Sequence, residues 1–247
     1  MDEPKTNTRQ VITSKDNEKL KLVRALGQRK HRERERLFVT EGEDLLEAGL
    51  AAGARPQFVL VAAGSGLDGE EVEPELLARA STLGSGTRVI AVWPIPEPRA
   101  PAGPACVYLH GVGDPGNVGT IARSADALVG GTLALGPGCA DPYGPKAVRA
   151  SMGSVFAVRP VRADFDETPA PRVALVARGG DQPAPLEPPV TLCLGAEREG
   201  LPAELVERCD ARWTIPLRAG VDSLNVSAAA AIALERINSA TAERGDE

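Results

Sequence analysis

Three short stretches of the 247-residue sequence hold the side chains best suited to chemistry. The first, "DPGNVGTIAR", sets Asn117 and Arg123 in a glycine-rich passage where a strand gives way to a helix. A carboxamide both donates and accepts hydrogen bonds, and a guanidinium is a permanent cation with a fork of donors. Gly116 and Gly119 permit a tight turn and close backbone approach to a ligand. Arg123 falls six residues after Asn117, a spacing that lets both face one cleft. The second stretch, "LGAEREGL", puts Glu197 between two glycines as another strand ends. The third, "IPLRAGVDSLNVSAAAAIALER", places Ser223 and Asn225 at the mouth of an alanine-rich helix. Capping of that helix by Asp222 or Ser223 accounts for the polar group. The other reading makes the turn the floor of a ligand site.

Several chemistries are disfavoured. After Gly116 the next glycines fall three and fourteen residues on, which is not a dinucleotide fingerprint, and no Gly-Lys-Ser/Thr marks a phosphate loop. Cys106, Cys139, Cys193 and Cys209 lie far apart, and only His31 and His110 could join them, so neither a zinc site nor a disulfide framework is signalled. No segment approaches the roughly 20 apolar residues of a membrane span. The polar start "MDEPKTNTRQ" lacks the apolar core of a signal peptide, so cytoplasmic residence is expected. Charge is uneven. Residues 1–36 hold eleven Lys/Arg against six Asp/Glu, net +5, leaving −11 for the rest of a chain whose total is −6. Such asymmetry suggests a phosphate-binding end on an acidic body.

The elements that must position these groups follow from periodicity. "WPIPEPRAPAGP", with five prolines in twelve residues, reads as a semi-rigid linker over residues 94–104. Residues 1–10 and the final "AERGDE" read as disordered tails. Over residues 11–93 a basic helix with the stripe Leu20, Val23, Leu26 runs into a charged loop. Strands at "LFVT", "PQFVLVAA" and "TRVIAVW" then alternate with helices at "EGEDLLEAGLAAG" and "EEVEPELLARAST", giving a small α/β domain. Over residues 105–247, short apolar strands at "ACVYLHGV", "GTLALG", "VFAVRPV", "RVALVAR", "VTLCLG" and "RWTIPL" alternate with helices, the last running from Ser223 to about Arg244. Apolar runs without alternation predict a largely parallel sheet covered on both faces, with ligands bound where strands end.

Taken in order, the three stretches resemble the signature of the SpoU, or TrmH-type, family of RNA methyltransferases. "LGAEREGL" and "IPLRAGVDSLNVS" match its pattern position by position, "NVGTIAR" departs slightly, and "DPYGPKAVRASMGSVFAVRPV" is similar to its intervening segment. The N-terminal half is similar to the family's substrate-binding domain, which itself resembles a small ribosomal protein. The resemblance implies a C-terminal α/β domain with a deep trefoil knot. It implies S-adenosylmethionine as methyl donor and a ribose 2′-hydroxyl as acceptor, in large-subunit ribosomal RNA ahead of transfer RNA. A non-catalytic RNA-binding or ribosome-assembly protein on the same fold is the alternative. By the same resemblance Leu194, Gly195, Ile215, Leu217, Leu224 and Ser227 are expected at the donor. Asn117, Arg123, Glu197, Ser223 and Asn225 are expected at the acceptor. The resemblance also implies a homodimer. The basic segment makes Lys19, Lys21, Arg29, Lys30 and Arg32 the expected RNA contacts.

Overall fold

The computed structural model describes residues 11–82 and 86–242. The two tails expected at residues 1–10 and after 242 lie outside the described residues. The chain divides into two compact units, one of residues through Ile95 with Tyr143–Pro145, the other of Pro96–Pro142 with Lys146 onward.

The first unit runs α1 (Glu18–Leu26), α2 (Arg29–Glu35), β1 (Leu37–Glu41), α3 (Glu43–Ala51), β2 (Phe58–Ala62), β3 (Glu70–Val72), α4 (Pro74–Ala80) and β4 (Val89–Pro94). Asn17 starts α1 by accepting from the Lys19 amide at 2.9 Å. The stripe Leu20, Val23, Leu26 is buried as its spacing predicts, against Leu37, Leu60, Leu77 and Ile90. The sheet order is β1-β4-β2-β3, with β4 antiparallel to both neighbours and β3 parallel to β2.

Two expectations fail here. "EEVEPELLARAST" is not one helix: Glu70–Val72 pair with β2, and α4 opens at Pro74, whose missing N–H costs nothing in a first turn. The "charged loop" is the helix α2, which lacks an apolar stripe and so gives no periodic signal. It is held by an Arg29–Glu33 pair one turn apart at 2.6 Å and by Arg32, which is buried and donates to the Leu26 carbonyl at 2.7 Å. Arg32, expected at RNA, is therefore an internal tie between α1 and α2.

The second unit runs β5 (Ala105–Leu109), α5 (Pro115–Val129), β6 (Thr132–Leu135), α6 (Pro145–Ser151), α7 (Ser154–Val158), β7 (Val161–Arg162), β8 (Arg172–Leu175), β9 (Val190–Leu194), α8 (Ala203–Glu207), β10 (Ala211–Trp213) and α9 (Val226–Ala242). All its strands pair in parallel, in the order β10-β8-β9-β5-β6-β7. Both faces are covered, as the uniformly apolar strands require. Val107, Leu109, Leu192 and Leu194 pack with Ile121 and Ala125 of α5 and with Ala230, Ala233 and Leu234 of α9. The alternate residues Cys106, Tyr108 and Cys193 pack with Phe165 and Leu205 on the other face. From β5 the chain builds outward to β6 and β7 on one side and later fills β9, β8 and β10 on the other. The carboxyl ends of β5 and β9 thus flank a topological switch point, the usual ligand position in such sheets.

"VFAVRPV" is a further correction. Val155, Phe156 and Val158 are buried on the short helix α7, and only Val161–Arg162 join the sheet. Its β-branched composition reads as strand, but packing of those side chains is satisfied by a single helical turn. Likewise "RWTIPL" leaves the ladder at Trp213, freeing Ile215 and Leu217 for other contacts. The last helix begins at Val226 rather than Ser223.

Candidate active site

The site grows from three strand ends and helix starts, all in the second unit. At the first, Asp114 caps α5 by accepting the Asn117 amide at 3.0 Å, with Pro115 following as a pre-set first helical residue. The other Asp114 oxygen accepts from Lys146 Nζ at 2.7 Å. That hydrogen bond first, and the Asn117 amide second, hold the Asp114 carboxyl below the usual carboxylate range. Gly119 lets α6 lie against α5, because a Cβ there would fall on the Ala147 carbonyl and the Ala150 methyl.

At the second, the chain leaves β9 through Gly195 and folds back at once, with Gly200 N donating to Ala196 O at 2.8 Å. A Cβ on Gly195 would occupy the space of the Gly200 carbonyl carbon and the Leu201 nitrogen, so no other residue fits this bend. The bend presents Glu197 to the first turn of α5.

At the third, α9 is capped by neither Asp222 nor Ser223. Asn225 Oδ1 accepts from the Ser227 amide at 2.9 Å and from the Ala228 amide at 3.4 Å. Asp222 is instead paired with Arg178 at 2.6 Å. With its oxygen committed to the cap, Asn225 has its Nδ2 left to donate, and it does so to Asn117 Oδ1 at 3.1 Å. That in turn leaves Asn117 Nδ2 as donor to Glu197 Oε1. The helix cap thus fixes the orientation of both amides, and a directional chain runs from α9 through α5 to the loop after β9.

Beside this chain lies a cavity of about 440 Å³. Leu194, Gly195, Ile215, Leu217 and Leu224, the residues expected at a donor, line it together with Glu197 and Ser223. Val176, Glu199 and Asp222 also line it, and sequence reasoning missed them. Ser227, expected with that set, does not line the cavity; its hydroxyl donates to Asn225 Oδ1 at 2.5 Å. Arg123 stands apart. Six residues turn a helix by about 600°, so Asn117 and Arg123 leave the α5 axis about 120° apart. Arg123 is exposed and, among the described residues, has no hydrogen-bond or ion-pair partner. Asp114 was legible as a cap three residues before Asn117, whereas Lys146, 32 residues from Asp114, carried no local signal.

In the first unit Lys19 pairs with Glu70 and lies 5.3 Å from the Phe58 ring centre. Lys21 pairs with Glu18 at 3.0 Å, while Arg29 and Lys30 are exposed. Among the described residues no cluster of three His, Cys, Asp or Glu could hold a metal ion, and no helix is long and apolar enough to cross a membrane.

A parallel sheet with convergent polar loops at its switch point is a frame for many ligands, and comparison with known proteins narrows the choice. Residues 104–235 match the SpoU rRNA Methylase family, and residues 17–93 match an MRM3-like substrate binding domain. The chain belongs to the SpoU rRNA methylase family. It is 30% identical over 238 residues to the 23S rRNA (guanosine(2553)-2'-O)-methyltransferase RlmP of Bacillus subtilis strain 168, spanning 90% of this chain and 96% of that one. Among solved structures it is similar to an AdoMet-bound rRNA methyltransferase from Sinorhizobium meliloti, with a TM-score of 0.81 at 30% identity over 92% of this chain and 97% of that one. It is also similar to the SpoU methyltransferase AviRb from Streptomyces viridochromogenes in complex with AdoMet, with a TM-score of 0.75 at 26% identity, covering 92% and 98% of the two chains.

Proposed function

We propose that this protein is an enzyme that transfers the methyl group of S-adenosylmethionine to one ribose 2′-hydroxyl of large-subunit ribosomal RNA, in the cytoplasm. The observation that carries the reading is the chain Asn225–Asn117–Glu197 standing beside the cavity of about 440 Å³. The volume lies within the roughly 300–1,000 Å³ of small-molecule sites. The residues present fit the donor. Leu194, Ile215, Leu217 and Leu224 offer apolar walls to a flat heterocycle, and the side-chain-free bend at Gly195 admits close main-chain contact. Glu197, Glu199 and Asp222 supply negative charge for a ligand that carries a sulfonium and an ammonium.

The donor supplies an electrophilic methyl group on sulfur. The protein's own task is to hold the acceptor oxygen in line and to accept its hydrogen bond as its proton is lost. Glu197 Oε1 is engaged by Asn117, and Oε2 has no partner among the described residues, which leaves an acceptor at the cavity rim. Arg123 serves as a cation for the adjacent phosphate rather than as a base, since a guanidinium does not deprotonate in proteins. Its exposed position on α5 supports that role.

Residues 11–93 act as the RNA-binding domain, with Lys19, Lys21, Arg29 and Lys30 at phosphates and residues 94–104 as linker to the methyltransferase domain over 105–247. The family's deep trefoil knot belongs to the same reading. It is supported by the segment after β10, which returns to the loops after β8 and β9 before it enters α9. A homodimer is also part of the proposal, to be checked by light scattering. The deciding experiment maps 2′-O-methyl groups across total RNA with and without the gene. Loss of one ribosomal RNA signal is expected. Loss of a transfer RNA signal would move the substrate, and donor binding without transfer to any RNA would make the protein a binding module.

A further inference from the structure

A second cavity, of about 310 Å³, lies in the second unit against the opposite side of the bend after β9. Ala196, Glu199 and Gly200 border both cavities, so the bend is a wall common to the two. The second cavity sits at the carboxyl ends of β5, β6 and β9, where His110, Pro137 and the bend emerge. Its floor carries no side chains at Gly111 and Gly138, whose approach is so close that a Cβ on Gly138 would stand 3.1 Å from Gly111 Cα. Pro137 and Pro202 give it flat, rigid apolar surfaces, and His110 and Glu199 give it polar groups.

The Tyr108 hydroxyl, whose pKa burial pushes up to about 12, stays protonated and faces His110 Nδ1 at 3.5 Å. At the cavity, His110 brings an imidazole with an N–H donor, and Glu199 brings a carboxylate acceptor. The Watson–Crick edge of every nucleobase presents a donor beside an acceptor on a flat ring, which is the complement of such a slot. Glu197, on the same bend, bonds Asn117, so this cavity adjoins the loop that carries the Asn117–Glu197 contact.

We propose that the second cavity receives a nucleobase of the substrate RNA, unstacked from its neighbours, and that His110 is a specificity-determining residue contacting that base. The proposal rests on the reading of the protein as an RNA ribose methyltransferase. It makes the bend after β9 a shared wall, with the methyl donor on one side and the acceptor's base on the other.

The test uses the full-length protein, radiolabelled S-adenosylmethionine and ribosomal RNA from cells lacking the gene. His110→Ala is compared with His110→Gln, which keeps an N–H donor. For His110→Ala the KM for RNA should rise roughly tenfold. The donor's Kd by calorimetry and the melting temperature should be unchanged. His110→Gln should recover part of the loss. An unchanged KM and kcat for RNA in both variants would overturn the base site while leaving the methyltransferase reading intact. A donor Kd that rises in parallel would also overturn it, by assigning His110 to the donor cavity. If the unsubstituted protein methylates no RNA, both readings fall together.

Discussion

Asn225 Nδ2 donates to Asn117 Oδ1 across 3.1 Å, joining the first turn of α9 to the first turn of α5 from positions 108 residues apart. The same Asn225 caps α9 with its oxygen, so fold and site share one side chain.

Asn225→Asp separates the two roles. Aspartate caps a helix as well as asparagine does, so stability should hold, whereas Asn225→Ala should cost about 1 kcal/mol. Aspartate cannot donate to Asn117. Whichever way the Asn117 amide then turns, two acceptors face each other at Asp or at Glu197. Methyl transfer should fall at least tenfold in both variants, and melting curves should distinguish them.

Gly195→Ala should destroy donor binding. The added methyl group meets the Gly200–Leu201 backbone across the bend, so the loop must open, at a cost of roughly 1–3 kcal/mol. Calorimetric titration with S-adenosylmethionine should show no saturable heat, with the rest of the protein still folded.

Arg123→Lys tests the forked cation. A lysine keeps the charge but loses bidentate geometry. The KM for RNA should rise several-fold with the donor's Kd unchanged, and full turnover at ordinary KM would remove the fork from the mechanism.

The Asp114 carboxyl titrates below its ordinary range in the folded protein, with Lys146 as the main cause. A depressed folded value means that the contribution to stability is present above the ordinary carboxylate pKa, about 3.9. It is lost as pH falls through the lowered folded value. Lys146→Met should move that loss to higher pH, seen as a shift of the Asp114 carboxyl resonance in an acid titration. At neutral pH the same variant should loosen the α5 start and slow methyl transfer.

The cysteines should differ in reactivity. Burial pushes the Cys106 thiol up to about 12 and raises Cys139, and the hydrogen bond between Cys193 and Cys209 raises the first and lowers the second. Iodoacetamide at mildly alkaline pH should label Cys209 well before the other three, as read by peptide mass spectrometry.

Much of this site is legible in the sequence alone. Asn117, Glu197 and Asn225 each stand at a glycine-marked or alanine-marked junction of strand and helix, and a parallel sheet carries such junctions to one edge. What stayed hidden depends on distant partners. Arg32 reads as one more surface cation, because nothing local reveals that its guanidinium turns inward to Leu26 O. Asp222 and Ser223 are as good capping residues as Asn225, and the choice falls to Asn225 where Asp222 pairs with Arg178. Lys146 sits on a short helix whose closeness to Asp114 comes from the missing side chain at Gly119, a fact of packing rather than of pattern.

The double duty of Asn225 sets an order of events during synthesis. Asn117 Oδ1 has no final partner, and the Asn117 amide no fixed orientation toward Glu197, until α9 has docked Ala230, Ala233 and Leu234 beneath the sheet. A chain still emerging from the ribosome, surrounded by the very class of RNA it is proposed to modify, therefore lacks the full Asn225–Asn117–Glu197 chain until α9 has been made and docked.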